Sequence, residues 1–215
     1  MPKKAKYHKS KIEKNDFYNS AMIDIETRGT GVRAIIVSIG AVLFRITGRD
    51  SNYTLDEDTT RSFYAVLDKG QQQKKGRTSD RATMRWWKKQ SAQAQEVLDA
   101  PGRPVEDVLD DLDSFLGETS RMWSNSPQFD QAKLEDLYND FERGPIWEWW
   151  MAKDVRTLRE IWNQVCGFLN EGRPPRLRNT TEHNALEDAK EQVLQVQTMY
   201  ADIRGSKYGD EKRSE

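Results

Sequence analysis

Two carboxylates stand one residue apart in an otherwise apolar run, Ala21-Met-Ile-Asp-Ile-Glu-Thr-Arg-Gly29. In an extended strand, residues two apart project to the same side. Asp24 and Glu26 would then share a face, with Met22, Ile23 and Ile25 packed around them. Two like charges held that close in apolar surroundings need a cation. The run from Val32 to Phe44 (VRAIIVSIGAVLF) reads as a second strong strand, so the pair is expected on a sheet and not on a solvated helix. The expectation is a metal site whose remaining ligands come from elsewhere in the chain.

Three other residues have the types such a site needs: Asp130 at a helix start after a short strand, Asp188 inside the last helix, and His183 five residues before it. Five residues on a helix turn through about 500°, or about 140° net. His183 and Asp188 would therefore share a rim but not a stripe, with His183 at the helix entrance, where it can reach a water. Oxygen ligands suit Mg²⁺ or Mn²⁺, and a pair of ions about 3.5–4 Å apart calls for several shared carboxylates. Each acid also has a plainer reading. Asp24 and Glu26 could face solvent on an edge strand, Asp130 could be a helix-start acid favoured by the dipole, and Asp188, beside Glu187 and Glu191, could belong to a charged surface.

The elements that would position these residues follow from periodicity and turn chemistry. Phe17 to Thr27 and Ala34 to Phe44 form two strands around the turn Arg28 to Gly31, and Arg61 to Leu67 forms a third after hairpin chemistry at Gly48, Asp50 and Asn52. Asp68 to Asp80 is a polar loop in which Lys74, Lys75 and Arg77 make a positive patch. Helices follow, Arg81 to Gln90 capped by Asp80 and a second to Ala100 capped by Ser91. Val105 to Leu116 has apolar residues at amphipathic helical spacing. Arg121 to Ser126 is a short strand, Phe129 to Phe141 a helix, Ile146 to Met151 a buried strand, and Asp154 the cap of a helix from Val155 to Phe168. After an irregular loop from Asn170 to Glu182, carrying Arg173, Arg176 and Arg178, the last helix runs from His183 to Arg204. Three antiparallel strands followed by βα units mean an α/β fold with a mixed central sheet and helices on its faces.

Residues 1–16 are a lysine-rich tail expected to be flexible, 17–204 one domain, and 205–215 a charged C-terminal tail. With 215 residues, a net charge of −1 and 32% charged residues, nothing announces a nucleic-acid binder globally, so any such contact must be local. The single cysteine, Cys166, between Trp162 and Phe168, reads as a packed thiol in a reducing compartment. No apolar run approaches the ~20 residues a membrane helix requires. A soluble protein of the cytoplasm is expected, the host's cytoplasm if the chain is phage-encoded.

Asp24-Ile-Glu26-Thr27, Phe129-Asp130 after a short strand, and His183-Asn-Ala-Leu-Glu-Asp188 resemble, in order, the three motifs of the DEDDh 3′→5′ exonucleases, which have the ribonuclease H-like fold. The match covers Phe17 to Arg204. Trp86-Trp87 with Gln90-Ser91, and Asp154-Val-Arg-Thr-Leu158, are similar to a group holding phage exodeoxyribonuclease A and a mycobacterial-type 3′→5′ exoribonuclease. One departure is visible: many relatives carry an asparagine four residues before the second-motif aspartate, whereas Asn125 lies five before Asp130.

The resemblance implies that Asp24, Glu26, Asp130 and Asp188 hold two Mg²⁺ or Mn²⁺ ions and that His183 is the general base. A histidine ordinarily titrates near pH 6.5 and can accept a proton at cellular pH, whereas a metal-bound carboxylate is a poor base. The substrate implied is the 3′ end of single-stranded DNA or RNA, with DNA favoured by the phage-like resemblance, and the product a nucleoside 5′-monophosphate. Thr27 and Arg28 could meet the terminal nucleotide, and Trp86 or Trp87 could stack on its base; turn and core roles are the alternatives. A fold that binds nucleic acid without catalysis and a metal-dependent phosphatase are the competing functions.

Overall fold

The computed structural model describes residues 18–46, 60–117, 119–166 and 183–211, side chains included up to 205. The N-terminal tail, the hairpin residues Gly48, Asp50 and Asn52, and the loop from Asn170 to Glu182 lie outside the described residues.

Five strands form one mixed sheet: β1 (Ser20–Thr27), β2 (Ile36–Phe44), β3 (Arg61–Val66), β4 (Met122–Ser124) and β5 (Ala152–Asp154), in the order β3-β2-β1-β4-β5. The first three pair antiparallel, and β4 and β5 join parallel to β1. The helices are α1 (Lys69–Lys74), α2 (Arg81–Trp87), α3 (Ala92–Asp99), α4 (Val105–Leu116), α5 (Asp130–Asp140), α6 (Val155–Cys166) and α7 (Ala185–Glu211).

Alternation along β1 divides the core in two. Ala21, Ile23 and Ile25 bury against Val105, Leu109 and Leu112 of α4 and Leu134 and Leu137 of α5. Met22 points the other way, joining Val42 and Phe44 with Val155, Trp162, Ala189 and Val193 from α6 and α7. Cys166 is half-buried against this second core. A third cluster joins Val37 to Trp87, Ala94 and Leu98 of α2 and α3.

Two sequence expectations fail for physical reasons. The stretch from Asp68 to Asp80 is not a loop throughout, because Lys69–Lys74 form α1, and of the expected positive patch Lys74 and Lys75 are exposed while Arg77 is buried. Asp68 caps α1 by accepting the Gln71 N–H at 2.8 Å, and the buried Gln72 amide exchanges bonds with the Ile36 N–H (2.8 Å) and C=O (2.7 Å), standing in for a neighbouring strand. The Arg77 side chain has no exposure and uses all five donors, on Asp136 (2.8 Å), Asp140 (2.9 Å) and the carbonyls of Val32, Ala34 and Lys133. Nor is Ile146 to Met151 a buried strand. Only Trp147 is buried there, edge-on to Tyr138; Trp149 and Trp150 are 78% and 58% exposed on a 3₁₀ turn, and the sheet begins at Ala152.

Without Arg77, Asp136 and Asp140 would keep only the more exposed Arg33, and the Val32, Ala34 and Lys133 carbonyls would lose this donor. Arg77→Ala is expected to cost about 3–5 kcal/mol in urea unfolding. Arg103→Ala, which removes an exposed pair with Asp111, is expected to cost about 1 kcal/mol or less. Equal losses in the two variants would refute this account of the network.

Candidate active site

Asp24 and Glu26 leave the same face of β1 as Met22, at the end where the strand meets its turn. In the ladder with β2, Asp24 lies opposite Gly40 and Glu26 opposite Ser38. Gly40 is what lets α7 reach them. A methyl group on it would overlap the Ala185 carbonyl and the Leu186 nitrogen. The first turn of α7 therefore lies directly on the sheet beside Asp24, and Asp188 follows within one turn.

The entrance to α7 is fixed by Asn184, whose Oδ1 accepts the N–H groups of Leu186 (3.0 Å) and Glu187 (3.2 Å). His183 precedes this cap with φ 65°, a left-handed conformation uncommon outside glycine. It stands outside the helix, at its entrance, as the five-residue spacing implies. One donor atom each from Glu26, His183 and Asp188 lie within 4.8 Å of one another.

Asp130 arrives from the other core. It starts α5, which packs against the opposite face of β1, and projects over the strand end. Its carboxylate accepts the Ser126 N–H at 3.3 Å and is also hydrogen-bonded by the Ile25 backbone. Residues from β1, α5 and α7 thus meet at one end of the sheet, and all five chemistry-bearing residues singled out in the sequence are brought together.

Their charges work against one another. Burial first, then Asp188 and Asp130, push the Glu26 carboxyl up to about 8. Asp24 is raised well above the usual carboxylate range by burial, then by Asp130, Glu26 and Asp188; a 2.8 Å bond from Gln192 Nε2 opposes the shift. Burial pushes Asp130 up to about 7 against the hydrogen bonds of Ser126 and Ile25 and the charges of Lys133 and Arg156. Four carboxylates beside an imidazole make an oxygen-rich donor set short of positive charge, which fits a divalent cation.

A cleft of about 420 Å³ opens beside Glu26, lined by Ile25, Thr27, Gly29, Thr30, Ala82, Thr83, Trp86 and Phe129. Of the four residues expected to meet substrate, it includes Thr27 and Trp86. Trp86 is 42% exposed and stands edge-on to the His183 ring at 4.6 Å. Trp87 is fully buried and does not line the cleft; its Nε1 donates to the Thr27 carbonyl at 2.9 Å and fixes the end of β1. Arg28 does not line it either, because its guanidinium donates to the Leu98 carbonyl at 2.8 Å. Thr27 Oγ1 donates to the Gly29 carbonyl at 2.7 Å, a turn role that coexists with its place in the wall. The Asn125 side-chain oxygen is buried without a hydrogen-bond partner among the described residues.

Sequence reasoning missed Gly40, Gln192 and Lys133. A glycine inside a β-rich run is a recognisable sign of close backbone approach, and Gln192 lies one helical turn after Asp188, on the same stripe. Lys133 gave no such sign. Its buried amine lies 3.1 Å from the Phe129 ring centroid, and burial pulls it down to about 8.

The five-stranded sheet and the acid cluster at its end define a ribonuclease H-like 3′→5′ exonuclease of the DEDDh type. Residues 19–200 match the family described as the 3′-5′ exoribonuclease Rv2179c-like domain, and the chain belongs to that family. It is 28% identical over 203 residues to an exodeoxyribonuclease of Enterobacteria phage T4, covering 81% of this chain and 86% of the relative. Among solved structures, it resembles E. coli Exonuclease I in complex with a 5cy-dA13 oligonucleotide, with TM-score 0.52 and 12% identity over 84% of this chain. A product-bound exonuclease I gives TM-score 0.51 and 11% identity over 86% of this chain. The chain spans only 41% and 43% of those two chains, and at such identity the likeness concerns the fold.

Raised carboxyl pKa values have a signed effect on stability. The unfolded Glu26 releases its proton near 4.5 and the folded one near 8, so between those values the folded state holds more protons and stability falls as pH rises. In EDTA, the melting temperature is expected to drop from pH 5 to pH 8, with excess Mg²⁺ restoring the high-pH end. Glu26→Gln should raise the EDTA melting temperature at pH 8 by a few degrees, at about 2–4 °C per kcal/mol. A rise in EDTA stability across that window would contradict the electrostatic account. Gly40→Ala should cost about 1–3 kcal/mol through overpacking and weaken Mn²⁺ binding in calorimetry; unchanged Mn²⁺ affinity would mean that the approach of α7 does not set the site.

Proposed function

We propose that this protein hydrolyses single-stranded nucleic acid, with DNA favoured over RNA, from the 3′ end and releases nucleoside 5′-monophosphates. The observation that carries the proposal is the meeting of Glu26, His183 and Asp188 within 4.8 Å, with Asp24 and Asp130 each in electrostatic contact with Glu26.

Asp24, Glu26, Asp130 and Asp188 would hold two Mg²⁺ or Mn²⁺ ions. Ions bound there supply Lewis acidity toward the attacking water and offset charge on the departing 3′ oxygen. The chain's own residues do the rest. His183 takes the proton from water, held at the mouth of α7 by the Asn184 cap and the edge of Trp86. The cleft between β1 and α2 takes the terminal nucleoside, with Trp86 and Phe129 as aromatic walls and Thr27 at its floor. Gln192 holds Asp24 through its 2.8 Å bond.

Support for DNA comes from the phage T4 relative, itself named an exodeoxyribonuclease. RNA is the second reading, favoured by the exoribonuclease description of the family. A catalytically silent binding module fits poorly, because every acid and the histidine are present and converge. Among the described residues no helix is long and apolar enough to cross a membrane, and we place the enzyme in the cytoplasm.

Purified protein with Mg²⁺ is expected to release labelled mononucleotide from a 3′-labelled single-stranded oligonucleotide, faster from DNA than from matched RNA or duplex DNA, and likewise with Mn²⁺. Asp24→Ala and Glu26→Gln should bring release below detection while circular dichroism stays unchanged. Free phosphate in place of nucleoside monophosphate would identify a phosphatase. Activity surviving Glu26→Gln would refute the two-ion site.

A further inference from the structure

Arg156 is an exposed cation two residues after Asp154, which lies level with Ser124 at the end of the sheet where β1 and β4 deliver the acids. It opens the first turn of α6, directly after β5. Its backbone is fixed by Asp154, which accepts the Arg156 N–H at 2.9 Å and the Thr157 hydroxyl at 2.8 Å. Several other cations near the acid cluster are committed to partners. Lys153 donates to the carbonyls of Trp150, Met151 and Ala152, Arg159 to Gln195, Arg28 to Leu98, and Lys190 to Glu187, while Lys133 is buried against Phe129. Among the described residues nothing accepts a hydrogen bond from the Arg156 guanidinium or pairs with it. Its charge is near enough to the cluster to lower the Asp130 carboxyl's pKa.

The sheet order gives this free cation a direction. The nucleoside cleft lies between β1 and α2, whereas Arg156 rises from the end of β5, beyond β4. The acids stand between them. A strand with its 3′ nucleoside in the cleft and its scissile phosphate over the acids continues toward α6. Phosphate oxygens accept well from a planar guanidinium, and an unpaired arginine donates without first breaking an internal bond.

We propose that Arg156 is a substrate-positioning residue that holds the phosphodiester immediately 5′ of the scissile one. The role rests on the exonuclease reading and adds what the acids lack, a cation for the part of the substrate that does not react. Two consequences follow. The enzyme should discriminate against ends too short to carry a second phosphate, and it should lose grip on the strand as salt rises.

Steady-state kinetics of the full chain with Mg²⁺ test this, using single-stranded DNA with an all-phosphate backbone or one neutral methylphosphonate immediately 5′ of the scissile linkage. On the all-phosphate strand, Arg156→Gln should raise KM by about tenfold, with kcat held within about twofold. Arg156→Lys should recover part of that loss. On the methylphosphonate strand the wild type should lose a similar factor in KM and Arg156→Gln should lose nothing more, because the contact is already gone. The salt slope of log binding should flatten by about 0.7 in Arg156→Gln. An unchanged KM, or a penalty that persists in full on the methylphosphonate strand, overturns the inference and leaves the exonuclease reading standing. A wild-type protein that releases no nucleotide overturns both.

Discussion

Repulsion among Asp24, Glu26, Asp130 and Asp188 is the constraint around which the rest of this molecule is arranged. Carboxylates taken out of water and set beside one another resist ionisation, and Glu26 and Asp130 are pushed up to about 8 and 7. Gln192 supplies one hydrogen bond to Asp24, the Ser126 and Ile25 backbone groups solvate Asp130, and Lys133 and Arg156 add charge from a distance. None of these neutralises the group. Two apolar cores hold the acids in place, because each acid is anchored by an element that cannot retreat without exposing buried side chains. Asp130 begins the helix that buries Leu134 and Leu137, and Asp188 precedes Ala189 and Val193 on the helix that covers Met22 and Val42.

The second requirement is closeness, and it is set by backbone more than by side chains. Helix α7 meets β2 where only a glycine fits, and this contact decides how near Asp188 comes to Asp24. One residue before its cap, the chain takes the left-handed turn at His183. A non-glycine residue in that conformation is costly unless its surroundings hold it. The Asn184 cap on one side and the Trp86 ring on the other do so, and the result is an imidazole aimed back over Glu26.

Much of this was legible in the chain. Alternating apolar residues around Asp24 and Glu26 gave the strand and its acidic face, and the amphipathic spacing from Val105 to Leu116 matches α4 to the residue. The five-residue gap between His183 and Asp188 gave a histidine at a helix entrance. What stayed hidden was polar matter put to structural use. Gln72 and Arg77 look like surface residues in a glutamine- and lysine-rich stretch, but a fully satisfied amide or guanidinium can be buried at little cost, and nothing local announces partners at Ile36, Asp136 and Asp140. The reverse error arose at Trp149 and Trp150, where consecutive apolar residues suggested a core strand. A short apolar run carries no periodicity to tell a buried strand from an exposed turn.

The paired tryptophans of α2 show why adjacent residues of one type need separate accounts. A helix turns about 100° per residue, so Trp86 and Trp87 cannot serve one surface. Trp87 points into the core and ties its indole nitrogen to the Thr27 carbonyl, which fixes the end of the strand that carries Glu26. Trp86 points out, where its ring is at once a wall of the cleft and the neighbour of His183. On the proposed reading, the residue that would meet a nucleoside is also the one that stands beside the imidazole. Filling the cleft and setting the histidine would then be mechanically linked, because both involve the same ring. Four acids need only be brought near one another to bind a cation, whereas a proton acceptor must also be aimed, and under the proposed reading the neighbour of that acceptor is a residue the substrate would touch.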